Sequence, residues 1–385
     1  MKVVRIIALV IGIVSFTSMS HSNNLKTFST EPKINHGKKW KVGYYQGGDY
    51  INYQSYLSST ILGLMELGWI EKTKIPQIKG NTRLFWEWLS TKAKSDYIQF
   101  LGDAYYTCSW EKNSRAKITR KLLTRLSNKN NDIDLMIAMG TWAGKDLSNN
   151  QHHVNTIVIS ASDPLESGII KSNEDSGFDH IHARTDPSRY ERQIMIFNDM
   201  VKFKTLGVAY ENSIAGKSYA AVDAMEKVAA QKGFSIVKCF TKSDIADQEM
   251  INKSVIKCFS ELIPAVDAIY VTVQGGVNST TIPTLVEMTQ KKRIPTFSQF
   301  GSTEVQQGFL MSMSRKNGFK SAGVYFASLV AQIFNGAKPR ELNQVFEEEQ
   351  NLAVNFKTAE LIGFYLHTDI IAAADEIYRD IKAPE

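Results

Sequence analysis

The sequence predicts an α/β protein of doubly wound parallel sheets arranged in two lobes, and three observations lead there. From residue 200 onward, apolar and β-branched segments at 205–209, 234–239, 266–273 and 294–297 recur about every thirty residues. The gaps hold apolar residues at helical spacing: Tyr219, Val222, Met225 and Ala229 share a face in the first, Ile251, Val255, Phe259 and Leu262 in the second. Strands that alternate with single helices at this period form βαβ units, hence a parallel sheet covered on both sides. The 385 residues also exceed the usual size of one domain, so two lobes are expected.

The elements follow in chain order. Lys2 and Arg5, an apolar stretch at 6–16 and small polar residues to Ser22 read as a secretory signal peptide over 1–22. The apolar run is shorter than the roughly 20 residues a membrane span needs, so no direct membrane insertion is expected. No cysteine follows it, which argues against a lipid anchor and places the mature chain free in the periplasm. Strands are expected at 40–45, 97–101, 135–138 and 156–159. A helix at 53–68 puts Leu57, Ile61, Leu64 and Met65 on one side and ends on Gly68. Residues 82–94, with Trp86 and Trp88, read as a helical surface element. The Ser-, Asp-, Gly- and Pro-rich stretch 160–197 reads as a crossing between lobes. Asp186 and Pro187 there suit the N-cap and first residue of a helix with Tyr190, Ile194, Phe197 and Val201 on its apolar face.

Composition narrows the function. Without residues 1–22 the chain keeps 43 basic and 39 acidic residues. The short basic patches Lys38-Lys39 and Lys291-Lys292-Arg293 fit solvated element ends, so no nucleic-acid partner is expected. Of Cys108, Cys239 and Cys258 at least one must be a free thiol. Cys239 and Cys258 fall in neighbouring elements and could pair or remain two buried thiols. Adjacent His152 and His153 lack the i, i+4 spacing that aims two ligands at one metal, and neither a metal nor another cofactor is expected.

The stretch GVAYENSIAGKSYA, 207–220, raises the question of a nucleotide-binding loop. That motif needs a glycine five residues before the one preceding its lysine, because its backbone N–H groups must curl around phosphates. Glu211 stands there and would repel a polyphosphate. What remains is a strand running into a helix N-terminus, with Lys217 facing solvent.

Five segments then carry a resemblance: VISASDPLESGII (158–170), VDAIYVTVQGGV (266–277), RIPTFSQFGS (293–302), GVYFASLVAQIFNGAKP (323–339) and NLAVNFKTAELIGF (351–364). In that order they resemble the periplasmic substrate-binding proteins of ABC transporters with the type I fold, in the branch related to tryptophan and tyrosine binders. Residues 70–115 depart from the family in being longer and more aromatic. The resemblance implies two lobes joined by three crossings, lobe 1 being 38–163 plus 302–338 and lobe 2 being 164–301 plus 339–385. It also implies a monomeric, non-enzymatic receptor that closes on a small amino-acid-like, aromatic solute and delivers it to a membrane permease. A sensory receptor signalling to a membrane histidine kinase or chemoreceptor is the alternative.

Ligands of open α/β sheets bind beyond the carboxyl ends of the strands. Here that selects Gln46 and Asp49, Thr141 and Trp142, then Ser160, Ser162 and Asp163 from the first lobe. From the second it selects Asn212, Ser213 and Ser218, then Gln274, Gly275 and Gln299. These amides, hydroxyls and aromatics suit neutral hydrogen bonds and stacking, whereas catalysis calls for a nucleophile beside a base, and no Gly-x-Ser-x-Gly elbow is present. Thr141 opens a helix, where free N–H groups favour a carboxylate, although it could serve as an N-cap alone. Trp142 could stack on a solute or pack beneath the helix. Asp49, Asp163 and Glu211 could meet an amino group, and Asp163 before Pro164 could instead shape the turn.

Overall fold

The structure, a computed structural model, describes residues 28–383 except 77, 79, 80, 130, 316 and 317; the expected signal peptide lies outside these residues. The first lobe begins with β1 (Trp40–Gln46), α1 (Ile51–Glu66), α2 (Thr82–Thr91) and β2 (Ile98–Thr107). It continues through α3 (Lys112–Ser127), β3 (Leu135–Met139), α4 (Gly140–Leu147), β4 (Asn155–Ile159) and β5 (Ile181–Ala183). The strands pair in the order β2-β1-β3-β4-β5, all parallel. Alternate residues of β1 feed opposite cores, Val42 and Tyr44 one and Tyr45 the other, as the two-residue period of a strand requires.

The described residues of 70–115 are absorbed into this lobe. The expected surface helix 82–94 is instead a packing helix, because Phe85, Trp86 and Leu89 are buried and the Trp86 indole donates to the Leu101 carbonyl at 2.9 Å. Strand β2 runs on to Thr107 past a register shift opposite Val42 and Tyr44, so the extra residues lengthen an edge strand rather than forming a loop.

The second lobe holds α5 (Arg189–Val201), β6 (Thr205–Glu211), α6 (Ile214–Ala220), α7 (Val222–Lys232), β7 (Ser235–Thr241) and α8 (Gln248–Leu262). After these come β8 (Ala268–Val271), α9 (Ile282–Lys291), β9 (Thr296–Ser298), α10 (Ser302–Gln306) and β10 (Met311–Arg315). Helix α11 (Lys320–Phe334) returns to the first lobe and packs on α1. The glycines allow this close seat: a Cβ on Gly323 would sit 2.4 Å from the Ser59 carbonyl. The chain then closes the second sheet with β11 (Gln350–Asn355), α12 (Phe356–Ile362), α13 (Thr368–Ala373) and β12 (Glu376–Tyr378), giving the order β12-β11-β10-β9-β8-β6-β7. Strand β11 is antiparallel to β10, so this sheet is not wholly parallel. It enters from the cleft side after the last crossing and must therefore run away from the cleft.

The crossings fall at 184–188, between the end of β10 and the start of α11, and at 343–349, rather than at the expected 163/164, 301/302 and 338/339. The first is later because three-residue β5 still pairs with β4. The second is later because β10 still pairs with β9. The first and last crossings bond to each other, Thr185 N to Gln344 O at 2.7 Å and Phe346 N to Thr185 O at 2.9 Å. Asp186 does not cap α5 as expected; its carboxylate faces Arg192 at 3.3 Å and Arg184 at 3.7 Å, and Ser188 takes the N-cap position.

The helix expected after β6 is broken into α6 and α7 at Ala221, whose φ of 55° is left-handed. The Tyr219 carbonyl there accepts from Gln299 Nε2 at 2.7 Å, a side-chain bond at the break. Gly216 of the AGKS sequence has a packing role, since a Cβ would lie 1.8 Å from the Glu211 carbonyl, and Lys217 is exposed. Cys239 and Cys258 form a disulfide between β7 and α8, leaving Cys108 as a buried free thiol. Closing a loop of this length restricts the unfolded chain, so Cys239→Ser with Cys258→Ser should cost about 3 kcal/mol. Urea unfolding of the double variant against the oxidised parent measures it.

Candidate functional site: an aromatic cleft between the lobes

Apart from β11 and the β12 that runs parallel to it, the strands of both sheets end towards the space between the lobes, and a cavity of about 230 Å³ lies there. From the first lobe it is lined by Asp49, Tyr50, Tyr53, Tyr56, Trp110, Thr141, Trp142, Ser160 and Ser162, and from the second by Tyr190, Tyr219, Asp244, Gln274, Gly275, Gln299 and Phe300. Arg184, Asp186 and Arg189 stand at its hinge end. The aromatic side chains come from both lobes, so a flat solute would be gripped on two sides.

Two backbone features shape the wall. Trp110 and Ser160 have positive φ, 59° and 64°, a strained state for residues with side chains. Trp110 reaches the cleft over Gly47 and Gly48, where a Cβ on Gly48 would lie 2.4 Å from the indole; its Nε1 donates to the Asp49 carbonyl at 3.1 Å. Trp110 meets the Trp142 ring edge-on with centroids 5.4 Å apart, and the Arg115 guanidinium covers Trp142 at 4.4 Å. Trp142 is thus both packed and cleft-lining.

Of the residues selected from sequence, Asp49, Thr141, Trp142, Ser160, Ser162, Gln274, Gly275 and Gln299 line the cavity together. The others stand elsewhere. Gln46 is fully buried behind the wall, accepting from Tyr44 and Thr82 and donating Nε2 to Asp49 Oδ1 at 2.7 Å; it orients that carboxylate. Asn212 is exposed on the β6–α6 turn, and Ser213 caps α6 by accepting from Gly216 N at 2.9 Å. Asp163 and Ser218 meet each other across the lobes: Ser218 Oγ accepts from Asp163 N at 3.2 Å and donates to its carbonyl at 3.0 Å. The Asp163 carboxylate caps its own turn through Leu165 N and Glu166 N. Gln274 and Gln299 spend their amides on the wall itself, on Ala209 O, Thr241 Oγ1, Val273 N and Tyr219 O.

The cleft has an acidic end. Asp244 follows β7, and Glu211 Oε2 accepts from the backbone N–H groups of Ser243 and Asp244 at 2.8 and 2.7 Å. Burial, together with the Glu211 charge, pushes the Asp244 carboxyl up to about 7, against the lowering effect of Trp142 of the other lobe. At the rim Glu166 has a buried, unpartnered Oε2; burial and the facing Asp223 push it up to about 7.

At the hinge end the charges are mostly paired. Arg184 donates Nη2 to Glu348 at 2.9 Å and Nε to the Phe346 carbonyl at 3.2 Å. Arg189, the first residue of α5, lines the cavity over the Tyr190 ring, and its buried Nε has no hydrogen-bond partner.

Because the folded protein holds the Asp244 proton more tightly than the unfolded chain, whose aspartates titrate near about 4, this group costs stability as pH rises from about 4 to about 7. Asp244→Asn should therefore melt higher than the ligand-free parent at pH 8 and show little difference at pH 4. Paired thermal melts at the two pH values test this, and equal differences at both would refute the assignment.

Residues 104–378 match the family described as ABC transporter substrate binding protein. A tyrosine-binding protein of Clostridioides difficile is 22% identical over 231 residues, 60% of this chain and 63% of that relative, so the match spans less than two thirds of the relative's length. Two solved structures share the fold. One, from Streptococcus pneumoniae in complex with L-Trp, has a TM-score of 0.66 at 18% identity over 88% of this chain and 100% of the other. The second, a solute-binding protein from Rhodopseudomonas palustris BisB5 with 3,4-dihydroxybenzoic acid, has a TM-score of 0.52 at 13% identity over 82% and 93%. Two parallel-dominated lobes, a cleft at their strand ends and a family match over most of the chain lead to one conclusion: this chain belongs to the ABC transporter substrate-binding proteins.

Proposed function

We propose that this protein is the periplasmic receptor of an ABC importer, closing its lobes on a small aromatic solute that carries an amino group and passing it to a membrane permease. The observation that carries the reading is the cleft lining: Tyr53, Tyr56, Trp110 and Trp142 of one lobe face Tyr190, Tyr219 and Phe300 of the other, with Asp244 and Asp49 among them. Aromatic walls take a flat ring at low entropic cost, and a carboxyl group raised to about 7 regains its charge when an ammonium group arrives. The tyrosine-binding relative and the similar structures in complex with L-Trp and 3,4-dihydroxybenzoic acid support an aromatic solute. Thr141 and Ser160–Ser162 supply hydroxyl and backbone donors for the solute's polar groups. The Asp163–Ser218 bond joins the lobes and is a contact that opening breaks. No helix among the described residues is long and apolar enough to cross a membrane, in keeping with a receptor that meets its permease as a separate chain.

A screen of aromatic amino acids, aromatic acids and aromatic amines by thermal shift tests this, since a bound ligand stabilises by about 2.7 kcal/mol at a hundredfold excess over its Kd. A saturable rise with an aromatic amino compound is expected, together with a change in tryptophan emission that Trp142→Phe diminishes. Thr141→Ala should weaken binding by about 1–3 kcal/mol, whereas Asn212→Ala, on the exposed turn, should leave it unchanged. Equal loss in both variants, measured by calorimetry, would misplace the solute.

A further inference from the structure

We propose that the hinge end of the cleft is an anion subsite, in which Arg189 receives a carboxylate of the solute that is separate from the group met by Asp244 and Asp49. This deepens the receptor reading above and rests on it for the location of the solute.

Four observations carry the proposal. The hinge holds Arg184, Arg189 and Arg192 with the carboxylates of Asp186, Glu347 and Glu348, yet these charges are not shared evenly. Glu348 contacts Arg184 at 2.9 Å, Asp186 contacts Arg192 at 3.3 Å and Arg184 at 3.7 Å, and Glu347 reaches Arg192 at 3.9 Å. Arg189 has no carboxylate within 4.0 Å among the described residues, and its side chain makes no hydrogen bond to any of them. A guanidinium does not shed its proton, so its donors need an acceptor, and here they face the cavity.

The position adds to this. Arg189 opens α5, a helix of 13 residues whose first N–H groups and dipole favour an anion at that end. The neighbouring Tyr190 is buried and lines the cavity, and Tyr56 of the other lobe lies close enough to act on the Arg189 charge. An acid group bound here would touch the segment on which the lobes turn.

The two ends of the cleft also have different neighbours. Asp244 has Glu211, Lys112 and Arg115 as its charged neighbours, whereas Arg189 has Tyr190 and Tyr56, then Glu348 and Asp186. Topology agrees. Asp49 follows β1 and the hinge follows β5, three strands away in the sheet order, which at about 4.8 Å per strand is about 14 Å along the sheet. The amino and acid groups of one α-amino acid head are too close together to serve both ends. The geometry therefore favours a solute with its acid group at the end remote from its amino group, the aromatic part lying between.

Calorimetry with three kinds of probe tests the subsite: an amine without an acid (tyramine), an acid without an amine (4-hydroxyphenylacetate) and a non-aromatic dicarboxylate (succinate). Arg189→Met should weaken 4-hydroxyphenylacetate about ten- to a hundredfold and leave tyramine unchanged, while Asp244→Asn does the reverse. Arg189→Lys, which keeps the charge but loses the planar fork, should fall between, and cooperative ligand-free melting of each variant at or above the parent's temperature excludes misfolding. If aromatic probes bind but Arg189→Met takes the acid as well as the parent does, the anion subsite is wrong and the receptor reading stands. If only succinate binds, and does so through Arg189, the aromatic reading falls and the subsite stands. Failure of every carboxylate probe to bind the parent overturns the subsite.

Discussion

A parallel strand can only be followed by another after the chain has crossed back over the sheet, so all its strands end on one side. That constraint governs this molecule. In each lobe it collects loops and helix N-termini at one edge, and the crossings set those edges opposite one another. Residues as distant in sequence as Asp49, Trp110, Ser160, Arg189, Asp244 and Gln299 thereby share one cavity. The antiparallel return of β11 obeys the same geometry, since a strand entering from the cleft must run away from it.

The polar chemistry of the cleft comes from groups that the surrounding wall does not fully satisfy. Most polar side chains near it are spent on structure. Gln274 and Gln299 hold backbone carbonyls and amides, Gln46 orients Asp49, and Arg184 is tied to Glu348 and Phe346. Against that background Asp244 and Arg189 differ. The first is held near neutrality by burial beside Glu211, and the second keeps its charge without a hydrogen-bonded partner. Leaving such groups in a low-dielectric site costs stability, which a bound ligand of complementary charge returns.

The same economy of groups runs along the rim. Asp163 and Ser218, which sequence reasoning places against a solute, bind each other instead and so join one lobe to the other. Glu166 beside Asp223 brings two carboxyl groups together across that seam, so the join has an electrostatic cost that falls when Glu166 holds its proton. The crossings at 184–188 and 343–349 are bonded to each other through Thr185, Gln344 and Phe346.

The sequence by itself determined the layer architecture and eight of the parallel strands, because β-branched runs alternating with helix-period stretches have few other solutions. It also picked out Asp49, Thr141, Trp142, Ser160, Ser162, Gln274, Gly275 and Gln299 by their place after those strands. Of the cavity residues it missed, Tyr53, Tyr56, Tyr190 and Tyr219 stand on helices, and others follow strands whose ends it misread. β2 was expected to stop at Leu101 and runs to Thr107, which hid Trp110. β7 was expected to stop at Cys239 and runs to Thr241, which hid Asp244. β5, only three residues long, was not expected at all, which hid Arg184 and Arg189. Strand ends are decided by pairing with a neighbour distant in sequence, as in the bulge that carries β2 past β1. Only the tertiary structure, likewise, decided that Cys239 and Cys258 pair, that Asp186 serves two arginines rather than a helix, and that Asn212 faces solvent. Each of those outcomes depends on which partner lies within a few ångströms, and local spacing carries no information about that.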